Sequence, residues 1–131
     1  MRQKDYLLRA KKIALKSPSR FRVGAVLVRG SSIIGVGYNR QRKSHTVMHL
    51  HAHPEIKSFI GTHAEMVACR GLRPYDIGIN STLYVNRVRR DGTQGCSAPC
   101  PACISILRNK GIRKIYFSLD DQGYGELSLY E

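Results

Sequence analysis

Two short stretches hold the residue types from which a metal-assisted hydrolysis can be built: His63-Ala64-Glu65 and Pro99-Cys100-Pro101-Ala102-Cys103. Zinc accepts imidazole and thiolate together, and a catalytic zinc keeps three protein ligands and one open position for water. His63, Cys100 and Cys103 supply three such ligands, and no second Cys-x-x-Cys is present to close the site into a structural one. A thiolate pair at the start of a helix is favoured by the positive helix end. Zinc brings the pKa of water in its open position towards neutrality. Glu65, two residues beyond His63, is then the expected proton carrier, taking a proton from that water and handing it to the substrate.

Other readings of the same residues are weaker. A redox Cys-x-x-Cys normally opens an early helix after a first strand, whereas Cys100 and Cys103 come late and have His63-x-Glu65 upstream. A closed structural zinc would leave Glu65 as a capping residue only. Cys69 sits among apolar residues and reads as core, as free cysteine usually does, and Cys96 reads as a plain residue ahead of the metal loop. His45, His49, His51 and His53 crowd one stretch. They offer a second metal site or, when protonated, a phosphate contact, against the blander role of exposed loop or subunit-boundary residues. Tyr38, Tyr116, Phe117 and Tyr124 are candidate stacking residues, although aromatics in or beside strands more often serve packing. Arg40, Arg42 and Lys43, next to Asn39, are better placed for a phosphate than most of the surface charge.

The elements that must position these residues follow from periodicity. In 2–16, Tyr6, Leu7, Ala10, Ile13 and Ala14 recur at helical spacing between basic residues, and Ser17-Pro18-Ser19 stops the helix. Residues 21–28 and 33–38 flank Arg29-Gly30-Ser31-Ser32 as a β-hairpin whose apolar strands predict a sheet covered on both faces. Residues 39–62 form the least regular stretch, and a loop of that length in a compact domain is usually functional. A short helix over 63–71 has Thr62 and Glu65 as reciprocal caps. A strand over 82–88, a turn at Arg89–Thr93, a helix from Cys100 towards Gly111 and a strand over 112–119 follow. A final strand over 126–130 comes next, and the short turn before it requires it to run antiparallel to its predecessor. This order predicts an α/β fold, α/β/α layers around a mixed four- to five-stranded sheet, in one domain over 1–131.

Charge adds a hint about partners. The chain has a formal net charge of +13. All 22 Lys and Arg residues fall within 1–118, opposed there by Asp5, Glu55, Glu65, Asp76 and Asp91, while the last thirteen residues carry Asp120, Asp121, Glu126 and Glu131 and no base. Such a field favours phosphorylated ligands or polyanions. No run of eighteen apolar residues occurs, so no membrane partner is expected. The polar Met1–Asp5 segment is no secretory signal, which points to the cytoplasm, a host cell's if the protein is viral.

The order His-x-Glu then Pro-Cys-x-x-Cys is the signature of zinc deaminases, and the chain resembles small members of the cytidine/deoxycytidylate deaminase superfamily over nearly its whole length. Its run from Gly92 to Ser118 is similar to compact nucleotide deaminases of the kind viruses carry. The resemblance implies Zn2+ as cofactor and hydrolytic removal of the exocyclic amine of cytosine, giving uracil and ammonia. It further implies that Asn39 contacts the nucleoside, that the Ala64 backbone meets the base, and that the backbone of the loop holding Pro99 receives the departing amine; Arg40 is then placed to meet a 5′-phosphate. An antiparallel last strand is similar to the enzymes that act on free nucleosides, whereas nucleic-acid editors tend to have a helical crossover and a parallel strand. A free cytosine nucleoside or nucleotide such as cytidine or dCMP is therefore the expected substrate. Single-stranded DNA or RNA on the basic surface is the alternative, and a non-catalytic zinc-stabilised nucleic-acid-binding module the third. The resemblance also implies a homo-oligomer.

Overall fold

The computed structural model describes residues 3–18, 22–39, 64–69, 81–99, 101–120 and 123–129. Helix α1 (Gln3–Ala14) buries Tyr6, Leu7, Ala10 and Ala14 and turns Lys4, Leu8, Arg9 and Lys12 outward, as the helical spacing predicts. Its last turn tightens, with the Lys16 and Ser17 amides donating to the Ile13 and Ala14 carbonyls, and Pro18 follows.

Among the described residues, six strands form one mixed sheet: β1 (Arg22–Arg29), β2 (Ser32–Tyr38), β3 (Ser81–Val88), β4 (Gln94–Gly95), β5 (Ile112–Ser118) and β6 (Tyr124–Ser128). The order is β2-β1-β3-β5-β6, with the two-residue β4 hanging on β3. Strand β1 is antiparallel to both β2 and β3, β3 is parallel to β5, and β5 is antiparallel to β6. Helix α2 (Ala64–Ala68) lies in sequence between β2 and β3, and α3 (Pro101–Asn109) makes the crossover from β4 to β5.

Side-chain alternation divides the sheet into two cores. Val26 and Val28 of β1 and Tyr84 of β3 pack with Tyr6, Leu7 and Ala10 of α1. Their neighbours Ala25, Leu27, Leu83 and Val85 face the other way, into a larger cluster with Ala64, Ala68 and Cys69 near α2 and Cys103, Ile106 and Leu107 of α3. The α/β/α layering expected from the element order is thus present. On the α1 side Tyr84 stacks on Tyr116 with ring centroids 5.2 Å apart and meets Tyr6 at 4.9 Å. Tyr116 and Phe117 are therefore packing residues. Asn86, fully buried, donates from Nδ2 to the Leu7 carbonyl at 3.1 Å.

Three expectations are adjusted. Coverage on both faces holds for β1 and β3, whereas Ile34 and Val36 of β2 remain 41% and 48% exposed, because β2 is an edge strand that α1 only partly reaches. The last strand begins at Tyr124 and ends at Ser128, not 126–130. The cause is Gly125, read from sequence as a turn residue: it pairs with Phe117, and a Cβ there would sit 2.5 Å from the Phe117 ring. Strand β4, too short for any periodicity, was not foreseen. The expected Thr62 cap, the Gly71 stop and the histidine-rich stretch lie outside the described residues. Among the described residues no helix is long and apolar enough to cross a membrane.

Candidate active site

Strand directions locate the starts of α2 and α3. Since β3 and β5 are parallel and α3 joins them, α3 runs back along the sheet and begins at the carboxyl end of β3. Strand β2 runs the same way as β3, because both are antiparallel to β1. Along β2, the α2 atoms nearest to Gly35 are the Ala68 carbonyl group, and those nearest to Gly37 are the Ala68 amide and the Val67 side chain. Helix α2 therefore runs opposite to β2, and its Ala64 end points to the same edge of the sheet. In open α/β sheets, ligands bind at the carboxyl ends of the strands.

Glycine at 35 and 37 allows this approach. A Cβ on Gly37 would lie 2.6 Å from both the Ala68 amide nitrogen and the Val67 Cβ, and one on Gly35 would lie 2.0 Å from the Ala68 carbonyl oxygen. The helix carrying Ala64 and Glu65 thus rests on bare backbone.

At this edge Glu65, in the first turn of α2, is only 5% exposed. Ala64 is 1% exposed and Cys103, in the first turn of α3, is fully buried in the same cluster. Pro101 opens α3, where its fixed φ and missing N–H suit the first helical position. His63 and Cys100 lie outside the described residues; each directly precedes a described helix start in sequence. Arg40, Arg42 and Lys43 also lie outside them. Among the described residues no three metal-ligating side chains converge, two of the three expected ligands being outside. The donor set fits zinc nonetheless: a buried thiol and a buried carboxylate on helices that start at one sheet edge, with an imidazole and a second thiol next to those starts in sequence. Cys69 behaves differently. Burial, with a smaller contribution from Glu65 and against Lys110, pushes its thiol up to about 12, so it stays protonated as a core residue, as its sequence context predicts.

The segment leading to Cys100 is tied down on both sides. Ser97 donates its amide to the Ser118 carbonyl at 2.9 Å, and Ser118 returns its amide to Ser97 Oγ at 2.8 Å. Ser97 Oγ also lies 3.1 Å from the Val85 carbonyl, and Ser118 Oγ donates to the Gly95 carbonyl at 2.6 Å. Cys96 donates its amide to Asp120, which also pairs with Arg89. Arg22 donates to the Arg89 carbonyl at 2.5 Å, and Arg89 to the Gln94 carbonyl at 2.7 Å. Part of the basic excess is therefore engaged in shaping this edge. Cys96 and Pro99 are half-buried there.

Asn39 follows β2 at the same edge and is 9% exposed. Its Oδ1 accepts the Val23 amide at 2.9 Å and lies 2.7 Å from Ser17 Oγ, which is also 2.7 Å from the Asn39 carbonyl oxygen. Sequence reading picked out Asn39 but took Ser17 only as a helix stop, and passed over Ser118 and Asp120. The one available signal was small polar residues at element ends, which is common to many turns.

Comparison with known proteins agrees with the geometry. The family model described as the cytidine and deoxycytidylate deaminase zinc-binding region matches residues 1–119. No curated protein matches the sequence significantly. Among solved structures, cytidine deaminase from Burkholderia pseudomallei is similar at 20% identity and a TM-score of 0.66, covering 98% of this chain and 94% of that one. The dCMP deaminase of cyanophage S-TIM5 is similar at 21% identity and a TM-score of 0.60, covering 89% and 82%. RibD from Acinetobacter baumannii is similar at 19% identity and a TM-score of 0.51, with 86% of this chain aligned to 26% of that one. With the family model spanning both metal motifs and the fold shared with these enzymes, the chain belongs to the cytidine and deoxycytidylate deaminase family and is a zinc-dependent hydrolytic deaminase.

Proposed function

We propose that the chain, as one domain over 1–131, removes the exocyclic amine of cytosine in a free nucleoside or nucleotide such as cytidine or dCMP. The observation that carries this reading is the antiparallel pairing of β5 with β6 across the short Leu119–Gly123 connection. That arrangement is the one the resemblance associates with enzymes acting on free nucleosides. The cyanophage enzyme, whose structure was solved in complex with dCMP and dUMP, lends support.

In this reading His63, Cys100 and Cys103 hold zinc, which when bound makes water acidic enough to serve as the nucleophile near neutral pH. The Glu65 carboxylate takes the water proton, delivers it to the ring nitrogen, and passes the second proton to the amine, which departs as ammonia. Burial of Glu65 suits this role, because it keeps the carboxylate at the site edge and out of bulk water. The Ala64 backbone meets the base, the backbone at Pro99 receives the departing amine, Asn39 binds the nucleoside, and Arg40 meets a phosphate. The chain acts in the cytoplasm and assembles with copies of itself, which the exposed apolar Ile34 and Val36 on edge strand β2 support.

A second reading, single-stranded DNA or RNA as substrate, is favoured by the net charge of +13 and by the outward Lys4, Arg9 and Lys12 of α1. Incubation with cytidine, dCMP and single-stranded oligonucleotides, following ammonia and uracil, separates the two. Turnover of a monomer is expected; turnover of oligonucleotides and of no monomer would overturn the preferred reading.

A further inference from the structure

In the chain between α1 and β1, Ser17 reaches Asn39. It is 7% exposed, and its hydroxyl lies 2.7 Å from two oxygens of Asn39, the main-chain carbonyl and Oδ1. A serine hydroxyl has one proton to give, so the two acceptors share it. The Val23 amide donates to the same Oδ1 at 2.9 Å, and the Asn39 amide donates back to the Val23 carbonyl at 3.1 Å. A backbone N–H is always a donor, so the atom facing it must be the amide oxygen; this removes the ambiguity between the two ends of an asparagine side chain. With Oδ1 engaged on two sides, these contacts fix the orientation of the Asn39 side chain.

Asn39 also sits where a fixed orientation is of use. Moving along β2 from Gly35 to Gly37 leads along α2 towards its first residues, and Asn39 continues in that direction, towards the end that carries Ala64 and Glu65.

Building on the reading that Asn39 binds the substrate, we propose that Ser17 is a positioning residue for substrate recognition. It holds the Asn39 side chain, through Oδ1 and the main-chain carbonyl, in the orientation that meets the substrate. Ser17 does not itself touch the substrate. Without its hydroxyl, the carbonyl and Oδ1 of Asn39 lose a buried donor.

The test is a double-mutant cycle with steady-state kinetics on cytidine and on dCMP. Ser17→Ala should raise KM about tenfold, the equivalent of one buried hydrogen bond, with kcat changed less than about threefold. Ser17→Thr, which keeps the hydroxyl, should restore KM to within about threefold of the parent. In an Asn39→Ala background, Ser17→Ala should change KM by less than about twofold, because its effect passes through the missing amide. A KM effect on both substrates places the Asn39 contact on the nucleoside; one confined to dCMP places it on the phosphate. If Asn39→Ala raises KM but Ser17→Ala does not, or if Ser17→Ala raises KM equally in the presence and absence of Asn39, Ser17 is not a positioning residue. If Asn39→Ala leaves KM unchanged for both substrates, the underlying assignment of Asn39 is wrong, and the proposal goes with it.

Discussion

The hydroxyls of Ser97 and Ser118, both buried, lie 2.8 Å apart across 21 residues of sequence. Through them the loop that delivers Cys100 is fastened to the end of β5. Ser118 Oγ also accepts the Arg87 amide at 3.0 Å, so three segments meet on two small side chains. Neither residue belongs to the metal motifs, yet both set where that loop runs.

Replacing Ser118 by alanine leaves the Gly95 carbonyl and the Arg87 amide without this partner. A loss of about 2–3 kcal/mol of stability is expected, together with zinc below one equivalent per chain. Denaturant unfolding and metal analysis check this; a Ser118→Ala protein with parental stability and full zinc would show that the bonds are incidental.

Glu65→Gln keeps size and burial but removes the titrating carboxylate. Turnover should fall by about 10²–10⁴-fold while zinc stays bound. Equal activity in variant and parent would remove Glu65 from the chemistry.

Gly37→Ala tests the close approach of α2 to β2. The new methyl meets backbone at 2.6 Å, so the helix must move, at a stability cost of about 1–3 kcal/mol. A displacement of Glu65 by even about 1 Å should lower kcat/KM by about 100-fold. A folded Gly37→Ala protein with parental kcat/KM would mean that α2 tolerates the shift.

Zinc removal should expose one thiol and not another. After chelation, Cys103 is expected to react with a thiol reagent in native buffer, once the metal no longer holds the first turn of α3 in place, while Cys69, whose thiol burial keeps protonated, stays unreactive. Mass mapping of the modified residues decides. Preferential labelling of Cys69 would contradict the assignment of the two buried cysteines.

Alkaline pH should destabilise the fold in a defined window. Burial, then Tyr116 and Tyr6, push Tyr84 up to about 12 from an ordinary 10.0, and burial does the same to Cys69 from 9.0. In both, the folded state holds its proton more tightly than the unfolded chain. Stability should thus be constant up to about pH 9 and fall between 9 and 12. Each group adds a slope approaching 1.4 kcal/mol per pH unit within its own window. Cys69→Ala should remove the earlier onset and Tyr84→Phe the later one, measured by denaturant unfolding across that range.

The parts of the fold that could be read from sequence were those with a long periodic signal. Helix α1, the β1–β2 hairpin, β3, α3 and β5 all repeat apolar residues over seven or more positions, and each was located to within a few residues. Strand β6 was displaced because Gly125 serves as the floor for the Phe117 ring, a contact between strands that no local pattern encodes. Strand β4 has two residues and no pattern to read. Within the candidate site, Glu65 and Cys103 could be proposed because zinc chemistry restricts both residue type and spacing, and Ala64 could be proposed only through the family resemblance. Ser17, Ser97 and Ser118 were not, because a serine becomes informative only when its partner, 21 or more residues away, is known.

The division of β1 between two cores has a consequence for how such a protein can change over generations. Val26 and Val28 answer to α1, whereas Ala25 and Leu27 answer to the helices that carry Glu65 and Cys103. Substitutions on the outward side of α1, where Lys4, Arg9 and Lys12 stand, can accumulate without being felt at the chemistry behind the sheet. A lineage can therefore remodel its electrostatic coat to suit a new cellular setting while the deaminating machinery stays under separate selection.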